Sequence, residues 1–213
     1  MPARKVLLVE GIDDQNVIMH ICGNRGVHHL DEIAPQESVE QLLENLPVRL
    51  KESDIEVLGI VLDADTDLQG RWEALRHRLT QAGYTEVPQQ PAPTGTILPA
   101  PPNTLLPRFG VWIMPDNQTR GILEDFLHFL VPSESQLYEH VKSSVSSIPG
   151  GERRFKEADE PKARIHTWLA WQKESGKPFG TAITAKFLDA NVAQVDVLVA
   201  WLKLLFFPDD PVI

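Results

Sequence analysis

The sequence is poor in cysteine, in basic charge and in long apolar runs, and each shortage removes a class of function. Its one cysteine, Cys22, cannot form an internal disulfide, which fits a reducing compartment and a cytoplasmic location. Cys22 lies in an apolar helical stretch and reads as inert core. No apolar run reaches the roughly 18–20 residues that span a bilayer. The richest stretch, residues 195–207, is broken by Asp196 and Lys203, so no membrane association is expected. The start of the chain, Met1-Pro2-Ala3-Arg4-Lys5, runs directly into a strand-like segment rather than reading as a signal peptide. Lys and Arg number 20 against 30 Asp and Glu, a formal net charge of −10. Proteins that hold nucleic acid by phosphate contact alone carry a basic face. Any nucleic-acid contact here must therefore be local, metal-assisted or shared with a partner. Neither a Walker A loop nor a Gly-x-Gly-x-x-Gly fingerprint occurs, so nucleotide binding by those routes lacks support.

What is present is a 42% hydrophobic chain of 213 residues, enough for one large domain with a buried core. Residues 5–10 (KVLLVE), 55–62 (IEVLGIVL) and 109–114 (FGVWIM) are short runs rich in branched or bulky apolar side chains. Such runs are the signature of parallel strands buried on both faces. Residues 27–33 are a possible further strand. Between these lie helical patterns: one opened by Asp13 and Asp14, an amphipathic one over 37–50, and one over 70–82 closed by Gly83. Strand and helix alternating at this spacing predict an α/β fold, a mostly parallel Rossmann-like sheet flanked by helices. Seven of the 17 prolines fall in residues 88–107, a segment expected to run over the surface. Residues 121–130 (GILEDFLHFL) return to helical periodicity, and helices are expected over 135–144, 161–173 and 181–207. The division expected is an α/β core over 1–130 and a helical extension over 131–213 packed on it, with Ile148-Pro149-Gly150-Gly151 as the connecting hinge.

Acidic residues fall where the strands end, the side of an open α/β sheet that holds the ligand crevice. Glu10 ends the first strand, Asp63 and Asp65 follow the 55–62 strand, and Asp116, Glu124 and Asp125 follow the 109–114 strand. Two carboxylates about 4 Å apart repel by roughly 4 kcal/mol at an effective dielectric of 20. A hard divalent cation removes that repulsion, and Mg2+ or Mn2+ suits an all-oxygen set. For Asp13, Asp14 and Asp67 helix capping or solvation is the simpler reading. An EF-hand beginning at Asp63 fails, because Leu68 stands where Gly is needed and Ala74 where Glu is needed. A haloacid-dehalogenase motif fails as well, with Asp67 in the place of its Thr. Histidines are scattered, and the adjacent pair His28 and His29 would point to opposite faces of a strand, so zinc is not expected.

Glu10-Gly11 after one hydrophobic strand and Asp63-x-Asp65 after another resemble the TOPRIM domain of topoisomerases, primases, recombination proteins and nucleases of the overcoming-lysogenization-defect (OLD) type. The block Val111-Trp112-Ile113-Met114-Pro115-Asp116-Asn117, followed by Gly121-Ile122-Leu123-Glu124-Asp125-Phe126-Leu127, is similar to an uncharacterised prokaryotic family of small stand-alone TOPRIM-like proteins. The resemblance spans most of residues 5–130. It implies a TOPRIM-like fold in which Glu10, Asp63 and Asp65 are the motif acids and Glu124 and Asp125 the later pair that can complete a second metal site. OLD-type nucleases also use a lysine near the metals. Lys162 is the candidate here, though no motif match fixes it and a solvated lysine at a helix start is the simpler reading. Two functions remain open at this point: a Mg2+- or Mn2+-dependent nuclease, and a non-catalytic regulatory or binding module working with a separate ATPase partner, since the chain carries no ATPase domain of its own. A receiver-like phosphoacceptor at Asp63 is weakened by Pro115 and Asp116 where a Ser or Thr is wanted. On the 121–130 helix Glu124 is expected to face the crevice and Asp125 to bond backbone amides of the preceding turn.

Overall fold

The computed structural model describes residues 3–209. The three apolar runs become the three central strands: β1 (Arg4–Val9), β3 (Ile55–Asp63) and β5 (Arg108–Met114). Val6 to Val9 are wholly buried, as expected of a strand with a helical layer on each face. Two short strands complete the sheet, β2 (Glu32–Pro35) and β4 (Thr96–Leu98), in the order β2-β1-β3-β5-β4. All neighbours are parallel except β4, which pairs antiparallel to β5. The second strand thus lies later than the 27–33 expected. Val27 and Leu30 instead pack into the core under the following helical layer. The proline-rich segment contributes β4 as an edge strand only, the one sheet position where flanking prolines are tolerated.

Alternate residues along each strand feed two separate cores. Leu7, Val9, Val57, Val61, Trp112 and Met114 face one layer; Val6, Leu8, Leu58, Ile60, Phe109 and Val111 face the other. The second layer is α2 (Val39–Arg49) and α3 (Leu68–Ala82). The first is α1 (Ile12–Asn24) together with α4 (Leu123–Phe129), α5 (Gln136–Ser146), α6 (Glu160–Ala170), α7 (Phe179–Thr184) and α8 (Ala193–Phe206). The helices beyond residue 131 are therefore no appendage: they form most of one face of a three-layer sandwich. Gly59 and Gly110 are register partners on β3 and β5, and α8 lies directly over them. A Cβ at Gly59 would stand 2.9 Å from Phe206 Cζ, and one at Gly110 would overlap Leu205. The stretch expected as one helix over 181–207 is divided into α7 and α8. Lys186 adopts a left-handed φ of 59°, and Asp189 turns the chain by accepting from the Asn191 N–H at 2.9 Å. Among the described residues no helix is long and apolar enough to cross a membrane.

Candidate functional site

The chain leaves β1 for α1 on one face of the sheet and leaves β3 for α3 on the other. Neighbouring strands whose connections diverge in this way open a crevice at their carboxyl ends. Glu10 follows the last residue of β1, and Asp63 is the last residue of β3. The Glu10 Oε2 accepts a hydrogen bond from the Asp63 N–H at 3.2 Å, joining the two strand ends.

The crevice has two adjoining chambers. One, of about 710 Å³, is bordered by Asp65, Arg120 and Asp125. The other, of about 440 Å³, is bordered by Asp13, Asp14 and Glu124. Glu10, Asp63 and Lys162 border both. The six residues that the family resemblance and the metal-site reading assign, Glu10, Asp63, Asp65, Glu124, Asp125 and Lys162, thus border one crevice at the end of the sheet, though their environments differ.

Asp63 and Asp14 are the most deeply committed. Asp14 opens α1 and is only 7% exposed; its Oδ2 accepts from the Gly11 N–H at 3.1 Å. Its Oδ1 and the Oδ1 of Asp63 are both buried without a hydrogen-bond partner among the described residues. Burial, reinforced by Asp14, Glu10, Glu124 and Asp65, pushes the Asp63 carboxyl up to about 9. Burial and the neighbouring Glu10 push Asp14 up to about 7, against the pull of the Gly11 amide. Glu10 is raised by burial and by Asp65, with the Asp63 amide opposing. Glu124 is 6% exposed and is also raised by burial, while the nearby Lys162 ammonium favours its charged form. Four carboxyls therefore share a poorly solvated space with one ammonium at its border.

The remaining acids are partly engaged elsewhere. The Asp125 Oδ2 accepts from the Ile122 N–H at 2.9 Å, closing the first turn of α4. The side chain of Asp65 is 48% exposed and pairs with Arg71. Its backbone is left-handed, φ 53°, a conformation Asp tolerates better than most residues. The strongest perturbation among the strand-end acids falls on Asp63 rather than on Asp65. Asp67 caps α3 through its Oδ1 and the Gly70 N–H at 2.9 Å. Asp116, expected among the strand-end acids, is absent from the crevice lining. Its Oδ1 accepts from the Gln118 N–H at 3.0 Å and the Thr119 N–H at 2.8 Å, holding the turn after β5. Asp14 was missed as a site residue because its capping role explains it locally; the signal was its place in the first turn after a strand-end Glu.

The donor set is wholly oxygen, two buried oxygens lack partners among the described residues, and Lys162 and Arg71 offset the acidic charge only in part. These features fit a hard divalent cation, which takes carboxylates and keeps several waters, and do not fit zinc. Among the described residues no group of three His, Cys, Asp or Glu side chains is placed so that it could hold a metal ion.

The fold and crevice define a Rossmann-like α/β protein with an acidic site at its topological switch point. Residues 4–207 match the family model described as "Protein of unknown function (DUF3226)", and the chain belongs to that family. No curated protein and no solved structure matches it.

Proposed function

We propose that this chain is a TOPRIM-like, Mg2+- or Mn2+-dependent nuclease of the OLD type, hydrolysing phosphodiester bonds in nucleic acid in the cytoplasm. The observation that carries the reading is the pair of buried, unpartnered oxygens on Asp14 and Asp63, set among Glu10 and Glu124. Buried carboxyl oxygens without partners are costly, and a crevice that keeps two of them among four buried carboxyls suits a cation better than it suits stability. Glu10, Asp14 and Asp63 would hold a first ion, with Asp65 at the rim. Glu124 and the free oxygen of Asp125 would serve a second. A bound ion supplies Lewis-acid polarisation of the phosphate and a water acidified toward hydroxide. The chain's own residues do the rest. The Asp63 amide orients Glu10, Lys162 partly offsets the burial that raises Glu124, and the Ile122 amide fixes Asp125.

The net charge of −10 favours a second reading, in which the same fold is a metal-binding regulatory module that works with a separate ATPase partner. Thermal melting with and without Mg2+ or Mn2+, joined to cleavage of a labelled oligonucleotide, separates them. The nuclease reading expects a metal-induced rise in melting temperature and metal-dependent cleavage, both lost in Asp63→Asn. A rise without cleavage, alone or with an ATPase partner, supports the binding module. No rise removes the metal site altogether.

A further inference from the structure

A nucleic-acid strand brought to an acidic crevice on an acidic protein needs a local cation besides the metal. Three basic side chains bear on the problem. Arg71 is held by Asp65, and Lys162 acts on Glu124. Arg120 is exposed, borders the larger chamber and forms no ion pair with any described residue.

The backbone that carries Arg120 is fixed from both sides. Ahead of it, Asp116 Oδ1 accepts from the Gln118 and Thr119 N–H groups and from Thr119 Oγ1 at 3.0 Å. Asn117, 2% exposed and left-handed at φ 62°, accepts from the Ile113 N–H at 2.7 Å through its Oδ1, pinning the turn to β5. Behind it, the Gly121 carbonyl accepts from the Asp65 N–H at 2.9 Å. Gly121 has φ 150°, and a Cβ there would come within 2.7 Å of Asp125 Oδ2. The loop is thus bonded directly to the Asp63-Ala64-Asp65 segment and permits only glycine after Arg120. A long cationic side chain is presented from a rigid mount beside the carboxylates. With the backbone already fixed, only the side chain has to be ordered when Arg120 meets a phosphate, and its guanidinium has no internal ion pair to give up.

We propose that Arg120 is the phosphate-binding residue of the crevice, its guanidinium taking the non-bridging oxygens of the nucleic-acid phosphate next to the one at the carboxylates. The guanidinium fork matches two phosphate oxygens at once, which an ammonium does not. This assignment rests on the metal-dependent nuclease reading, and its test keeps the two apart.

The experiment follows a fluorescein-labelled single-stranded oligonucleotide by anisotropy with the full chain. Calcium replaces magnesium to hold the strand uncut, and salt is titrated. Manganese-induced melting shifts are measured in parallel. Arg120→Ala is expected to weaken strand binding about tenfold and to lower the slope of log K against log salt by about 0.7, the value for one phosphate contact on a single strand. Arg120→Lys should restore the slope and only part of the affinity, and both variants should keep the wild-type melting shift with manganese. In cleavage, Arg120→Ala should raise KM more than it lowers kcat. Unchanged affinity and slope in Arg120→Ala, beside a normal wild-type metal shift, would overturn the role of Arg120 and leave the metal site standing. Loss of the metal shift in Arg120→Ala would make Arg120 a structural residue and overturn it too. A wild-type metal shift without strand binding would remove the nucleic-acid substrate together with this role. Absence of any wild-type metal shift would show that the underlying reading had failed first.

Discussion

Replacing Asp63 by Asn should make the metal-free protein more stable at neutral and alkaline pH. In the folded chain the carboxyl titrates at about 9, against 3.8 for an ordinary aspartate. Because the folded value is the higher one, the contribution of Asp63 to stability is fully present below about 3.8 and is lost progressively as pH rises to about 9. Each pH unit inside that window costs about 1.4 kcal/mol. From about pH 5 to about pH 8 the wild-type protein should therefore lose on the order of 4 kcal/mol through this one group. For a domain of this size that is a fall of roughly 10 °C in melting temperature. Asn keeps the shape and cannot ionise, so the Asp63→Asn melting curve should fall less steeply over the same range, the remaining fall coming chiefly from Asp14, whose carboxyl titrates at about 7. Adding Mg2+ should restore the wild type near pH 8, since a cation favours the ionised form, and should leave the variant where it was. The assay is a series of thermal melts at about pH 5 and about pH 8, with and without the metal. A wild-type protein equally stable at both pH values, or an Asn variant several kcal/mol weaker at the higher one, would refute the picture of a cluster strained by its own charge.

Glu124→Gln should abolish metal-dependent cleavage while leaving the fold intact, whereas Asp125→Asn should cost about 1 kcal/mol of stability through a weakened cap at the start of α4; parallel melting and cleavage measurements distinguish them, and the reverse pattern would exchange their roles. Asp14→Asn keeps an oxygen to accept from the Gly11 amide, so the variant should melt no lower than wild type without metal and should show a reduced metal-induced shift. Gly110→Ala should destabilise by about 1–3 kcal/mol, the usual cost of overpacking, because its methyl would overlap Leu205; urea unfolding measures it, and an unchanged midpoint would show that α8 can move away from the sheet.

The central strands were legible because burial on both faces leaves an unbroken apolar run, as in Val6 to Val9 and Phe109 to Met114. β2 and β4 were not. They span four and three residues at the sheet edges, too short for any period to be seen, and β4 is enclosed by prolines that argue locally against a strand. At the site, Glu10 and Asp63 could be read because an acid closing an apolar strand has no local reason to be there. Asp14 had such a reason, and the acids that share its buried space include Asp63 and Glu124, residues distant in sequence. Asp116 shows the converse, since an acid in the expected place serves its own turn. Arg120 left no trace, because a charged loop residue carries no periodicity and its mount is fixed by bonds to β5 and to Asp65.

The placement of α8 over Gly59 and Gly110 has a bearing on how the chain reaches its folded state. A nascent chain that has emerged only as far as the Leu123–Phe129 helix possesses all five strands, yet the face carrying Trp112 and Met114 lacks most of its cover. That half-built sheet presents a broad apolar surface to the ribosome exit and to other chains, the condition under which intermediates associate wrongly. The sheet becomes safe from such encounters when Leu205 and Phe206 arrive, close to 200 residues after β1, the first strand with which they share a core. The glycine pair that lets α8 lie so close thus makes the early part of the chain depend on the late part.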